Sequence, residues 1–201
     1  MKAFAKLISI IFHPILLPTY GYMMLLFSGA FFAHLSPEII RTIILEIVIT
    51  TLFLPLVSIL LMQLFIHRKL NLHDRKDRIY PLFFTIMSYF IGAYLLRHLP
   101  VSSIYSQLLI VCALIVCAIQ LINLRWKISA HMAGIGGFLG IFFGICGVIA
   151  WNVFMLAAVF IILAGLIGTS RLLLERHTPA QVYVGFILGF SFPLIHLLLI
   201  F

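Results

Sequence analysis

Two short stretches of the chain set a histidine beside a serine and basic residues. One reads Arg125-Trp126-Lys127-Ile128-Ser129-Ala130-His131; the other reads Ser170-Arg171, five residues, then His177-Thr178-Pro179-Ala180-Gln181. A third stretch, Arg68 to Pro81, holds Lys69, Arg75, Lys76 and Arg78 with His73. These residue types suit a phosphate. Guanidinium forks match phosphoryl oxygens two at a time, and an ammonium adds a point charge. Phosphoryl transfer is largely positioning and charge neutralisation, which fixed cations can supply without a metal. One histidine can attack phosphorus in line. The other can protonate the leaving oxygen and then deprotonate water. The chain has only 5 Asp and Glu. The remaining histidines, His13, His34, His67, His73, His98 and His196, have no partners at metal-ligand spacing. No metal and no cofactor is expected.

The elements that must carry these stretches follow from composition. Of 201 residues, 64% are hydrophobic and 9% charged, whereas a soluble domain is about a quarter charged. Lipid must therefore be the solvent. Apolar runs of about 18 to 25 residues recur, each long enough to cross a ~30 Å hydrocarbon core as a helix. The short alternating segments of a barrel are not evident. Candidate spans run from Ile8 to Phe32, Ile43 to Ile66, Pro81 to Leu96, Ile104 to Ile122, Met132 to Ile149, Val153 to Gly168 and Ala180 to Ile200. The expected fold is all-α, a polytopic membrane helix bundle of six to seven transmembrane helices forming a single domain over residues 1–201. Pro14 and Pro18 interrupt the first span, so Met1 to Phe12 could be an interfacial helix leading into a shorter span. Gly136, Gly140 and Gly144, and then Gly185 and Gly189, put small residues on helix faces, the pattern of close helix packing in lipid. Glu46, Gln63, Gln120 and Asn123 read as interhelical hydrogen-bonding groups. Cys112, Cys117 and Cys146 read as small core residues. Lys2 and Lys6 precede an apolar run with no small-residue cleavage site, so no removable signal peptide is expected.

The formal net charge is +8. With no polar domain to form a nucleic-acid surface, the basic residues serve topology, lipid headgroups or an anionic substrate. The N-terminus and the loops after spans two, four and six share one membrane face and carry most of them; Arg41 and Arg97 fall on the other. The positive-inside rule alone would make the rich face cytoplasmic. It does not account for the serines and histidines among the cations. An even number of spans separates the three stretches, so they can meet on one face.

Motif order and spacing together resemble the type 2 phosphatidic acid phosphatase (PAP2) superfamily, membrane relatives of the vanadium haloperoxidases. Its signature is K-x6-R-P, P-S-G-H and S-R-x5-H-x3-D. Ser170-Arg171 to His177 reproduces the third spacing. Ser129-Ala130-His131 stands for S-G-H, with Ile128 in place of proline. Arg75, Arg78 and Pro81 occupy the first motif's loop at a different spacing, with Lys69 or Lys76 for its lysine. The resemblance implies a PAP2-like core. It makes His177 the nucleophile and His131 the general acid and base. Arg171, Arg78, Arg75 and Lys69 would hold the phosphate, and Ser129 with nearby backbone N–H groups would add hydrogen bonds. Lys127 is either a phosphate contact or a positive flank.

Gln181 stands where the family has its final aspartate. Dolichyl-diphosphate phosphatases look similar here, with an H-T-x-x-Q pattern. A glutamine oxygen can still accept the histidine Nδ1–H and fix the tautomer, but it cannot stabilise an imidazolium by charge. Thr178 to Gln181 also reads as a capping box with proline at the first helical position. Cap and histidine orienter are both open readings.

The expected function is therefore a membrane lipid phosphatase. It would hydrolyse a lipid phosphate or polyprenyl diphosphate, without metal, through a phosphohistidine. The rivals are a lipid phosphotransferase on the same site and a non-catalytic binder or transporter of anionic lipid. The partners are the lipid phosphate and the bilayer, with no nucleic acid; oligomeric state is not legible. Bacterial relatives generally act on the periplasmic side of the inner membrane, which opposes the positive-inside count. His13-Pro14 with Pro18-Thr19-Tyr20 is unusual for a first span and could line the way in for lipid.

Overall fold

The computed structural model describes residues 1–27, 35–65, 74–149 and 154–200. Within them the chain is helical, with no strand among the described residues. The helices are α1 (Lys2–Ile11), α2 (Leu16–Phe27), α3 (Pro37–Val48), α4 (Leu54–Phe65), α5 (Ile79–Arg97), α6 (Ile104–Asn123), α7 (Ala130–Ile149), α8 (Phe154–Leu173) and α9 (Pro179–Ile200). Five stretches are long and apolar enough to cross a membrane: Pro37–Phe65, Lys76–Arg97, Ile104–Asn123, Met155–Leu173 and Pro179–Ile200. The broken pair α1–α2 makes a sixth if it crosses as one span, and α7 is apolar over Ala130–Cys146. The chain is an all-α integral membrane protein. It divides into two compact units, Met1–Leu17 with Leu121–Phe201, and Pro18–Gln120.

In the Pro18–Gln120 unit, Ser36 caps α3 by accepting from Ile39 N–H (3.4 Å), with proline next in line. A π-helical turn, Ile49–Phe53, joins α3 to α4. Its cause is local. Pro55 has no N–H for the preceding turn, and its ring crowds that turn's carbonyl. The ladder widens by one residue, so Leu54 N–H bonds to the Ile49 carbonyl. Thr50 and Thr51 turn their hydroxyls back onto the Glu46 and Ile47 carbonyls (2.8 and 2.7 Å). The released Thr50 carbonyl accepts from the Ser88 hydroxyl. Gly92 lets α5 approach here, since a Cβ would sit 2.7 Å from Thr50 Oγ1. Gln120 donates to the Ile79 carbonyl (3.1 Å), an interhelical bond of the kind lipid favours.

In the other unit, α7 and α9 touch backbone to backbone. A Cβ on Gly185 would lie 2.7 Å from the Ser129 carbonyl oxygen, and one on Gly189 would overlap the Ala133 carbonyl. Gly136 and Gly140 face the backbone of Phe186 and Phe190 in the same way. The glycine faces therefore serve close packing, and they fix the N-terminal ends of α7 and α9 side by side. Between α7 and α8, Phe160 packs on Phe138, with ring centroids 4.4 Å apart. Helix α1 lies along α8, burying Ala5, Ile8 and Ser9 while Phe4, Leu7, Ile10 and Ile11 face outward. This is the amphipathic helix that Pro14 separates from α2.

Candidate active site

The five-residue gap between Arg171 and His177 has a structural cause. Helix α8 ends in a Schellman turn: Arg176 N–H bonds to the Arg171 carbonyl (3.1 Å) and Glu175 N–H to the Leu172 carbonyl (2.9 Å). Glu175 takes the left-handed conformation that such a turn requires, with φ 54°. A non-glycine residue there stores about 1–2 kcal/mol of strain. The turn reverses the chain within the gap. Arg171 is left on the last turn of α8, where a cation complements the helix dipole. His177 is delivered just before α9. Both side chains are buried, 7% and 8% exposed. Ser170, also buried, spends its hydroxyl on the Leu166 carbonyl (2.8 Å).

Helix α9 begins with a complete capping box. Thr178 Oγ1 accepts from Gln181 N–H (3.4 Å), and Gln181 Oε1 accepts from Thr178 N–H (3.3 Å). The same Oε1 lies 3.1 Å from His177 Nδ1. A backbone N–H can only donate, so the atom facing Thr178 must be the amide oxygen. That oxygen can only accept, so His177 Nδ1 must carry the proton. In the neutral ring Nε2 is left with the lone pair. Gln181 is thus cap and histidine orienter through one oxygen atom.

Ser129 and His131 open α7. Ser129 is fully buried and caps the helix, its Oγ accepting from Met132 N–H (3.5 Å). Its N–H donates to the Gln181 carbonyl (3.3 Å), tying the α7 start to the first turn of α9. Half-buried His131 directs Nε2 at the Ser9 carbonyl of α1, at 3.1 Å. A carbonyl only accepts, so Nε2 carries the proton and Nδ1 the lone pair. His13 packs its ring edge against His131, centroids 5.5 Å apart. Burial pushes the His131 pKa well below the ordinary histidine range, and the Arg171 charge pushes it the same way, as do His13 and His177. His131 therefore rests neutral near pH 7, within electrostatic reach of Arg171 and His177.

One unit thus gathers His131, Arg171, His177 and Gln181, with Ser129 as a helix cap. Lys127 lies half-buried in the loop before α7. Arg75 and Arg78 belong to the Pro18–Gln120 unit. There Asp74 Oδ1 accepts from Lys76 N–H (3.1 Å) and starts the short 3₁₀ turn Lys76–Arg78 ahead of α5. Lys69 and His73 lie outside the described residues. Among the described residues, no three His, Cys, Asp or Glu side chains gather as a metal site. Sequence reasoning missed Ser9. It contributes a carbonyl, which no residue type announces; the one available signal was Pro14, which ends α1 and exposes the last carbonyls. Comparison with protein-family models, curated proteins and solved structures finds no match.

Proposed function

We propose that the protein is a PAP2-like membrane phosphatase that hydrolyses a lipid phosphate or diphosphate through a phosphohistidine at His177. The observation that carries this reading is the chain Thr178 N–H, Gln181 Oε1, His177 Nδ1–H. It gives the neutral ring of a buried histidine its lone pair at Nε2, and both that histidine and the buried Arg171 guanidinium act electrostatically on the neutral His131.

Nε2 of His177 bonds to phosphorus as the P–O bond to the lipid breaks, and the leaving oxygen takes a proton from protonated His131. Water then attacks the phosphohistidine, giving its proton to His131. The P–N bond breaks, its electron pair returns to Nε2, and phosphate leaves. Arg171 neutralises the phosphoryl oxygens, and the adjacent N-termini of α7 and α9 favour an anion. His131 rests neutral, so it must gain a proton before the first step. Bound phosphate supplies the means: its negative charge offsets Arg171 and raises the proton affinity of His131. Substrate binding itself would arm the acid.

The lipid tail stays in the bilayer while the headgroup reaches the membrane surface. Gln181 favours a polyprenyl diphosphate, and the resemblance favours the periplasmic face of a bacterial inner membrane. A cysteine introduced at exposed Arg125 and labelled in intact cells tests that sidedness. The activity is tested with purified protein and long-chain lipid phosphates and diphosphates, measuring free phosphate. Release should survive EDTA, stop with vanadate and vanish in His177→Ala. Equal behaviour of wild type and His177→Ala on every substrate would leave an anionic-lipid binder. Transfer to an added alcohol in place of release would mark a phosphotransferase.

A further inference from the structure

The end of α1 has a placement that the hydrolytic reading does not use. Pro14 has no N–H and disfavours helical geometry at His13. Helix α1 therefore stops at Ile11, and His13 N–H turns to the Ile10 carbonyl (3.3 Å) rather than the Ser9 carbonyl one turn back. The Ser9 carbonyl is one of the orphan acceptors that every helix end leaves. It meets Nε2 of His131, across 122 positions of sequence. The His13 ring is held beside it, with Nδ1 accepting from Ile15 N–H (3.4 Å) and the ring edge on His131. The other end of α1 lies near the same site: Lys2 Nζ is 3.8 Å from Glu175, in the turn between Arg171 and His177, in an exposed pair that adds little stability.

We propose that the Ser9 carbonyl and the His13 ring are positioning elements of the site, holding His131 as its Nε2–H tautomer, so that Nδ1 is the atom that takes up and returns the proton. The role assigned to that proton rests on the phosphatase reading; the tautomer itself does not. Without the carbonyl, neutral imidazole would exchange its proton between the two nitrogens, and part of the population would present the wrong atom. The groups that face His131 are His13 at the end of α1, Arg171 on α8 and His177 before α9.

The test is nitrogen NMR of histidine-labelled full-length protein in lipid nanodiscs, with His131 assigned from a His131→Asn spectrum. In the wild type His131 should show Nε2–H and stay neutral below the ordinary histidine range. Pro14→Ala restores the missing N–H and lets α1 continue, returning the Ser9 carbonyl to a helical bond with His13 N–H. Its His131 signal should become a tautomer mixture and titrate nearer the ordinary value, with phosphate release falling about 10- to 100-fold and the limbs of its rate profile that depend on His131 moving up in pH. His13→Ala should move the signals the same way by removing the ring contact, and it stands in if Pro14→Ala does not fold. Unchanged His131 signals in a folded variant of either kind would overturn the inference. Spectra that change as stated in a protein without phosphatase activity would keep it and remove only the hydrolytic reading.

Discussion

Gln181 does two jobs through one oxygen, and a pair of variants separates them. Thr178→Ala removes the hydroxyl that accepts from Gln181 N–H at 3.4 Å. It leaves the Thr178 N–H, the Gln181 oxygen and their bond in place, so the His177 tautomer is kept. Loss of an N-cap hydroxyl costs about 1 kcal/mol. Gln181→Leu keeps the size of the side chain and removes the oxygen. It breaks both the 3.3 Å cap bond and the 3.1 Å bond to His177. The stability loss should be about 1–2 kcal/mol, because a neutral hydrogen bond contributes about 1 kcal/mol and a buried donor is left behind. The two variants should therefore melt within about 1 kcal/mol of each other. Their activities should differ far more. Losing the group that orients a reacting histidine lowers activity about 10- to 100-fold, while Thr178→Ala should stay within about 2-fold of wild type once the folded fraction is matched. Gln181→Glu keeps the oxygen and adds a charge. A charged acceptor gains about 1 kcal/mol over a neutral one, which favours the imidazolium and should shift the acid limb of the rate profile upward. The assay is phosphate release from long-chain lipid phosphate against pH, with thermal unfolding run in parallel. If Thr178→Ala and Gln181→Leu lose activity equally, Gln181 is a helix cap and nothing more.

Other expectations follow from the same geometry. His131 binds its proton less readily folded than unfolded, so on acidification the unfolded chain takes up that proton first. The stability it confers is present in full above pH of about 6.5 and is lost as pH falls from there toward the folded-state value; His131→Asn should flatten that part of a melting-temperature curve. Vanadate or phosphate binding should take up a proton at His131, read by calorimetry in buffers of different ionisation heat, and binding heats that do not depend on the buffer would contradict the arming step. Gly189→Ala drives a methyl into the Ala133 carbonyl and should cost about 1–3 kcal/mol. Gly165→Ala, with nothing within 4 Å, should be neutral or mildly stabilising on melting.

Much of this was legible from residue types. Apolar length announced the helices, glycine spacing announced close helix packing though not that α7 and α9 pair with each other, and Thr178-Pro179-Ala180-Gln181 announced a cap. The spacing from Arg171 to His177 was visible as a pattern, but its cause was not: Glu175 is a poor candidate for a left-handed residue, and only the fold imposes it. Ser129 was read as a phosphate contact; its oxygen also serves as the N-cap of α7, a role its place before Ala130 allowed. The π turn could not be read, because Pro55 alone would equally suit a kink. The clasp on His131 was out of reach for a deeper reason. It is a backbone carbonyl meeting a side chain more than a hundred residues away, and sequence pattern carries no trace of such a contact. Only Pro14, by ending α1, left a sign that carbonyls there would seek other donors.

The central claim is that His177 carries the phosphoryl group. An aryl phosphate, whose leaving oxygen needs no proton, lets the first step proceed in a His131→Ala background while the water-attack step stalls. Rapid acid-free quenching of that variant, followed by mass spectrometry of its peptides, should find base-stable, acid-labile phosphate on His177, absent in the His131→Ala, His177→Ala double variant. Aryl phosphate turnover with no label on His177, or with label on another residue, would contradict the account.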